Sequence, residues 1–156
     1  MRIANRLMAA DGYMDLGMWV QAREELASIP SEFLEVVDAL WLRQRLAFGE
    51  KAWTEALPIC RKLCELAADL PDSWIACAYA AREVQDLALA RDVAREGLKR
   101  FPNQPILLYN LACYQCLLGD LSEAKRLLER AFTLDNRLRV EARRDKDLAK
   151  IESAGA

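Results

Sequence analysis

The 156-residue chain contains no histidine. Imidazole is the commonest general base near neutral pH, so its absence removes that base, the serine and cysteine triads built on it, and every zinc site that contains histidine. A non-enzymatic protein with no cofactor and no metal is expected. An excess of charge of either sign is also lacking, since 22 basic and 24 acidic side chains leave a net charge of -2. That is too small for long-range attraction to nucleic acid or to a membrane surface, and neither is expected as a partner. Long apolar runs are missing too. The run Leu7 to Ala10 behind Arg2 and Arg6 stops at Asp11, short of a secretory leader, and the stretch Trp74 to Ala81 ends at Arg82. A membrane-spanning helix needs roughly twenty such residues. The five cysteines are an odd number in a chain long enough to fold without cross-links, which predicts free thiols in a reducing, cytoplasmic setting.

Proline and glycine number only five and six, and no segment alternates apolar with polar residues for long; the apolar residues recur at three and four, as on helices. A longer period lies on top of that one. Ala22, Ala56, Ala90 and Ala124 are each 34 residues apart, and the same step joins Trp19, Trp53, Leu87 and Leu121, as well as Pro71 and Pro105. Gly17 and Gly119 are in phase, as are Ala10, Ala78 and Ala112, with Gln44 interrupting the last series. The physical content of the pattern is steric. Small side chains at Ala78 and Ala112, and at Ala56, Ala90 and Ala124, leave room for close contacts between helices. Helix boundaries follow from the punctuation: Pro71-Asp72 starts one helix, Asn103 caps the helix that Pro105 begins, and Gly119-Asp120 ends one helix and opens its partner. Pro30 ends an early helix, and Pro58 is expected to bend another.

These residues resemble the tetratricopeptide family, whose 34-residue unit is a helical hairpin. The segment after Pro105 carries the likeness best, with Leu108, Leu111, Ala112, Gly119, Asp120, Ala124, Leu128 and Ala131 at family positions. The preceding segment supplies Trp74, Ala78, Asp86, Ala90 and Pro102, with Gln85 where the family places glycine. Trp53 and Ala56 mark a further unit, in which Arg43 and Gln44 replace a packing leucine and a small residue, leaving open a one-residue shift of its first helix. Gly17, Trp19 and Ala22 mark the earliest. The resemblance spans residues 3 to 136 and implies an all-α, right-handed superhelical array of antiparallel helix hairpins forming one domain over residues 1–156. Its repeats are expected at about 3–36, 37–70, 71–104 and 105–136, followed by a capping helix over 137–152 that carries Leu138, Ala142, Leu148 and Ile151. Asp147 is expected to cap a last turn from Leu148, with Ser153 to Ala156 frayed.

The resemblance implies a scaffold or adaptor that binds a protein or peptide in a groove lined by the first helix of each repeat. Helical geometry puts Asp72, Ile75, Tyr79 and Arg82 in one row of that lining and Ile106, Tyr109, Cys113 and Cys116 in the next. Trp41, Arg45 and Phe48 join them in strict register. Such a floor suits an extended or helical apolar peptide carrying an acidic group. The same residues would equally serve packing against the capping helix or a neighbouring copy, so a self-associating structural protein is the alternative. The carboxylate clamp by which some family members hold chaperone tails is not matched: Leu7, Trp41, Ile75 and Tyr109 stand at its lysine position, Asp11, Arg45, Tyr79 and Cys113 at its first asparagine, and only Asn110 fits. Cys113 and Cys116 form a CxxC spacing, but inside a repeat helix, which makes thiol redox chemistry the lesser alternative. Cys60, Cys64 and Cys77 read as small core residues. Glu24-Glu25 and Asp145-Asp147 read as solvated carboxylates, and the basic residues from Arg137 to Lys146 as a solvated face diluted by acids and without stacking aromatics.

Overall fold

The computed structural model describes residues 2–154, and no strand occurs among them. The chain forms two compact units, one ending at Ala68 and the other beginning at Asp69. The first holds α1 (Ile3–Asp15), α2 (Trp19–Ala27), a short 3-10 turn (Ser31–Phe33), α3 (Val37–Gly49) and α4 (Trp53–Leu66). The second holds α5 (Pro71–Glu83), α6 (Leu87–Arg100), α7 (Pro105–Leu118), α8 (Leu121–Leu134), α9 (Leu138–Ala142) and α10 (Ala149–Ala154). In the first unit α1 packs on α2 and α3 on α4; in the second α5 packs on α6 and α7 on α8.

The alanines that set the period lie in the interior. Ala10, Ala22, Ala56, Ala78, Ala90, Ala112 and Ala124 are all fully buried. Around them the first unit builds a core from Met14, Leu26, Ile29 and Leu46, with Leu7, Trp19 and Leu34 against it, and a smaller cluster of Leu40, Ile59 and Leu63. The Trp19 ring lies so close over Gly49 that a Cβ there would stand 2.4 Å from it. In the second unit Gly97 lets α6 meet α5, since a Cβ on it would be 2.7 Å from the Cβ of Trp74. The Trp74 ring in turn lies under the Arg100 guanidinium, 5.5 Å from its centroid.

Each hairpin turns at one left-handed residue: Gly17 (φ 70), Lys51 (φ 55), Gln85 (φ 67) and Gly119 (φ 95), again 34 apart. The next residue's N–H donates to the carbonyl five positions back in every case, Met18 to Tyr13 and Ala52 to Ala47 at 2.8 Å, Asp86 to Ala81 at 3.0 Å and Asp120 to Gln115 at 2.9 Å. This settles the register of α3, which is strict and not shifted. Arg43, at the inward position, turns its guanidinium back to the Leu34 carbonyl and to Glu35. Lys51 and Gln85 hold a conformation that costs an ordinary residue about 1–2 kcal/mol. Gln85→Gly is therefore expected to raise stability by about 0.5–1 kcal/mol and Gly119→Ala to lower it by about 1 kcal/mol or more, as read in urea titrations.

Several boundaries differ from expectation. Gln104, not Asn103, caps α7, its side-chain oxygen accepting from the Ile106 N–H at 3.1 Å. Pro58 does lie inside α4, as expected. The single capping helix over 137–152 is replaced by α9, a 3-10 turn (Lys146–Leu148) and α10. The break has a local cause, because Asp145 leaves the helical path and its carboxylate accepts from the Asp147 N–H at 2.9 Å. Asp145, not Asp147, is thus the cap. α10 carries Ser153 and Ala154 in helix instead of a frayed tail, and Gly155 and Ala156 lie outside the described residues.

Candidate functional site

α5 and α7 are neighbours in the second unit, so residues in the same phase stand beside each other. Tyr79 is 41% exposed and Arg82 is half-buried on α5, whereas Tyr109, Cys113 and Cys116 on α7 are buried. Asp72 and Ile106 are exposed and Ile75 half-buried at the far end of the same face. What covers the α7 row is the chain's own C-terminal segment. Arg82 donates to both oxygens of Asp147, from Nε at 3.2 Å and from Nη2 at 2.6 Å. The Tyr109 hydroxyl donates to Oδ2 of Asp145 at 2.7 Å, and the Cys113 thiol points at the same oxygen at 3.6 Å. Further along, backbone N–H groups of Lys150 and Ile151 face the Cys116 sulfur. Leu148 of the same segment is buried, on the side of Leu128 and Phe132 of α8.

The electrostatics follow from burial beside carboxylates. Burial pushes the Tyr109 hydroxyl well above its usual range, with the Asp145 hydrogen bond adding to the shift. Burial likewise raises the Cys113 thiol strongly, reinforced by the charges of Asp145 and Asp147, and raises the Cys116 thiol. A thiol held protonated is a poor nucleophile and a poor metal ligand, so this CxxC pair has the opposite environment from a redox-active one. All five cysteines are thiols, with Cys60 and Cys77 buried and Cys64 half-buried. Among the described residues no three Cys, Asp or Glu side chains are grouped to hold a metal ion.

Beside the Arg82–Asp147 pair lies an open recess of about 260 Å³, lined in part by Tyr79, Glu83, Asn110 and Tyr114. Tyr114 is 3% exposed and its hydroxyl, buried there, has no hydrogen-bond partner. Burial raises this hydroxyl too, so it stands as an unused donor.

The expected residues of the first unit are arranged differently. Trp41 is half-buried and packs against Leu40, Ile59 and Leu63. Arg45 spans from α3 to α1, donating to Asp11 from Nη1 and to Asp15 from Nη2, each at 2.6 Å. The Asp15 hydrogen bond is the main reason its guanidinium is held above its ordinary range. Sequence reasoning missed Asp145, Asp147 and Tyr114. The two aspartates were expected to be solvated, yet Asp147 is 22% exposed and bound by Arg82. The available signal was the row itself, in which Arg82 and Tyr109 set polar atoms in an otherwise apolar floor that an acidic segment nearby in the chain can satisfy.

No protein-family profile matches the sequence, and no curated protein does. Solved structures do match in fold. "MamA MSR-1 C2" aligns with a TM-score of 0.79 at 17% identity, covering 88% of this chain and 79% of that one. "MamA RS-1 ArsTM double mutant" aligns with a TM-score of 0.79 at 12% identity, over 87% of this chain and 76% of that one. A thermophilic TPR protein of Thermus thermophilus, TTC0263, aligns with a TM-score of 0.70 at 17% identity, over 99% of this chain and 84% of that one. The chain therefore has the tetratricopeptide-type fold of helical hairpins, in which no helix among the described residues is long and apolar enough to cross a membrane.

Proposed function

We propose that this helical-repeat chain is a scaffold or adaptor of the cytoplasm that binds a partner polypeptide and catalyses no reaction. The binding face is formed by Asp72, Ile75, Tyr79 and Arg82 of α5 with Ile106, Tyr109, Cys113 and Cys116 of α7, and Trp41 and Arg45 take the matching positions in the first unit. The array is one domain of four repeats, at about 3–36, 37–70, 71–104 and 105–136. The observation that carries this reading is that the α5–α7 face already accommodates polypeptide: a segment of the chain lies on it through two carboxylates. Aromatic and arginine side chains of this kind often dominate binding energy, each contributing about 2 kcal/mol or more at a desolvated centre.

Affinity capture from the native cell with the wild-type chain and with Tyr79→Ala/Arg82→Ala tests it. The double variant is expected to lose the captured partners while keeping its helicity, because the Arg82–Asp147 pair is partly exposed and stabilises the fold by only about 1 kcal/mol or less. Equal yields from both chains would move the binding surface elsewhere. Self-association is the second reading, favoured by Met8, Leu16 and Val20, which are 74%, 73% and 64% exposed in the first hairpin. Light scattering across a dilution series separates the two, since a dimer held by that hairpin dissociates as the concentration falls.

A further inference from the structure

The segment on the α5–α7 face is bound as a ligand would be. It is attached through side chains, Asp147 on Arg82 and Asp145 on Tyr109 and Cys113, and carries the buried Leu148. The helices on either side, α9 and α10, have 5 and 6 residues, too few to be stable by themselves. The order of the segment thus depends on the face that receives it. The fit is also incomplete. Tyr114 keeps a buried hydroxyl without an acceptor, and the recess beside it is unfilled by the segment. A buried donor left unpaired is unfavourable, so the chain's own segment leaves this part of the face unsatisfied.

Resting on the scaffold reading, we infer that residues 145–151 are an exchangeable internal occupant, and that the external partner is an acidic-aliphatic peptide of the same chemistry. Such a peptide carries two carboxylates two residues apart followed by aliphatic side chains, in the manner of Asp145, Asp147, Leu148 and Ile151. Charge complementarity selects it, because Arg82 is the cation that receives the second carboxylate and the Tyr109 hydroxyl and Cys113 thiol are donors for the first. The internal copy sets a threshold. A competitor sees only the fraction of molecules whose segment has lifted, and its apparent affinity is reduced by that fraction.

The test uses the full chain and a labelled peptide of its own residues 143–152, followed by fluorescence anisotropy. Asp145→Asn/Asp147→Asn in the chain weakens the internal occupant and is expected to tighten binding of the unaltered peptide by about tenfold or more. The peptide carrying the same two asparagines is expected not to bind, and adding Arg82→Ala to the opened chain is expected to abolish binding. Should the double variant lose helicity, the isotopically labelled wild-type chain with excess unlabelled peptide gives the answer, because displacement speeds hydrogen exchange at amides 145–151. Equal binding to wild-type and opened chains, equal binding of the asparagine peptide, or unchanged exchange overturns the inference. So does a concentration-dependent dimer of the wild-type chain that the double variant lacks, which would make the occupant a second copy. In each of these cases, capture that depends on Tyr79 and Arg82 would still leave the scaffold reading standing.

Discussion

Leu107→Ala is expected to lower the free energy of unfolding by about 2–5 kcal/mol. Leu107 has no exposed surface. Its Cδ1 lies 3.1 Å from the position a Cβ on Gly97 would occupy, so it fills the place where α7 meets the glycine of α6. Removing it leaves a hole that two helices, one already in close contact with Trp74 on its other neighbour α5, have little freedom to close. A urea titration measures the loss as a shift of midpoint with the slope unchanged. Leu118→Ala on the same helix is the control. Leu118 is 42% exposed, and a cost beyond about 0.5 kcal/mol there is not expected. Similar losses at the two positions would contradict the packing described for α7.

The second large effect runs in the opposite steric direction. Ala90→Leu and Ala124→Leu are each expected to cost about 1–3 kcal/mol, because both alanines are fully buried at helix contacts and extra methylenes force the helices apart or the new side chain off its rotamers. Leucine is a good helix former, so propensity contributes almost nothing to the difference and the measured loss reports packing alone. Ala88 lies exposed on the same helix as Ala90, and its replacement by leucine isolates the surface contribution. Neutral behaviour at Ala90 or Ala124 in a denaturant titration would show that the 34-residue alanine series does not mark helix contacts.

The hairpins were legible because their cause is repeated. Close helix contacts demand small residues, and the demand recurs at Ala22, Ala56, Ala90 and Ala124. The turns were harder to read, since two of the four left-handed positions carry Lys51 and Gln85 and not glycine. There the backbone geometry is imposed by the packing of the flanking helices and overrides the local preference of the residue. Register at α3 was ambiguous for a related reason. Arg43 occupies an inward position by reaching polar partners at Leu34 and Glu35, a solution that hydrophobic periodicity does not display. The C-terminal region was read least well. Its hydrophobic spacing fits one helix, and the competing signal is the side chain of Asp145, which bonds locally to the Asp147 N–H and breaks the helical path. The row of Tyr79, Arg82 and Tyr109 follows from phase, and packing against the C-terminal segment was one of the arrangements it allowed, whereas the meeting of Asp145 and Asp147 with these side chains depends on the helix break at Asp145, which no periodic pattern encodes.

The stacking of Trp74 beneath Arg100 has a spectroscopic consequence. Trp74 is the single tryptophan of the second unit, whereas Trp19, Trp41 and Trp53 all lie in the first. Indole emission from the whole chain is therefore weighted toward the first unit, while circular dichroism weights both by their helix content. With the other three indoles changed to phenylalanine, the remaining fluorophore becomes a local optical reporter whose colour and intensity follow the α5–α6 hairpin, separate from any change in the half of the chain that precedes it.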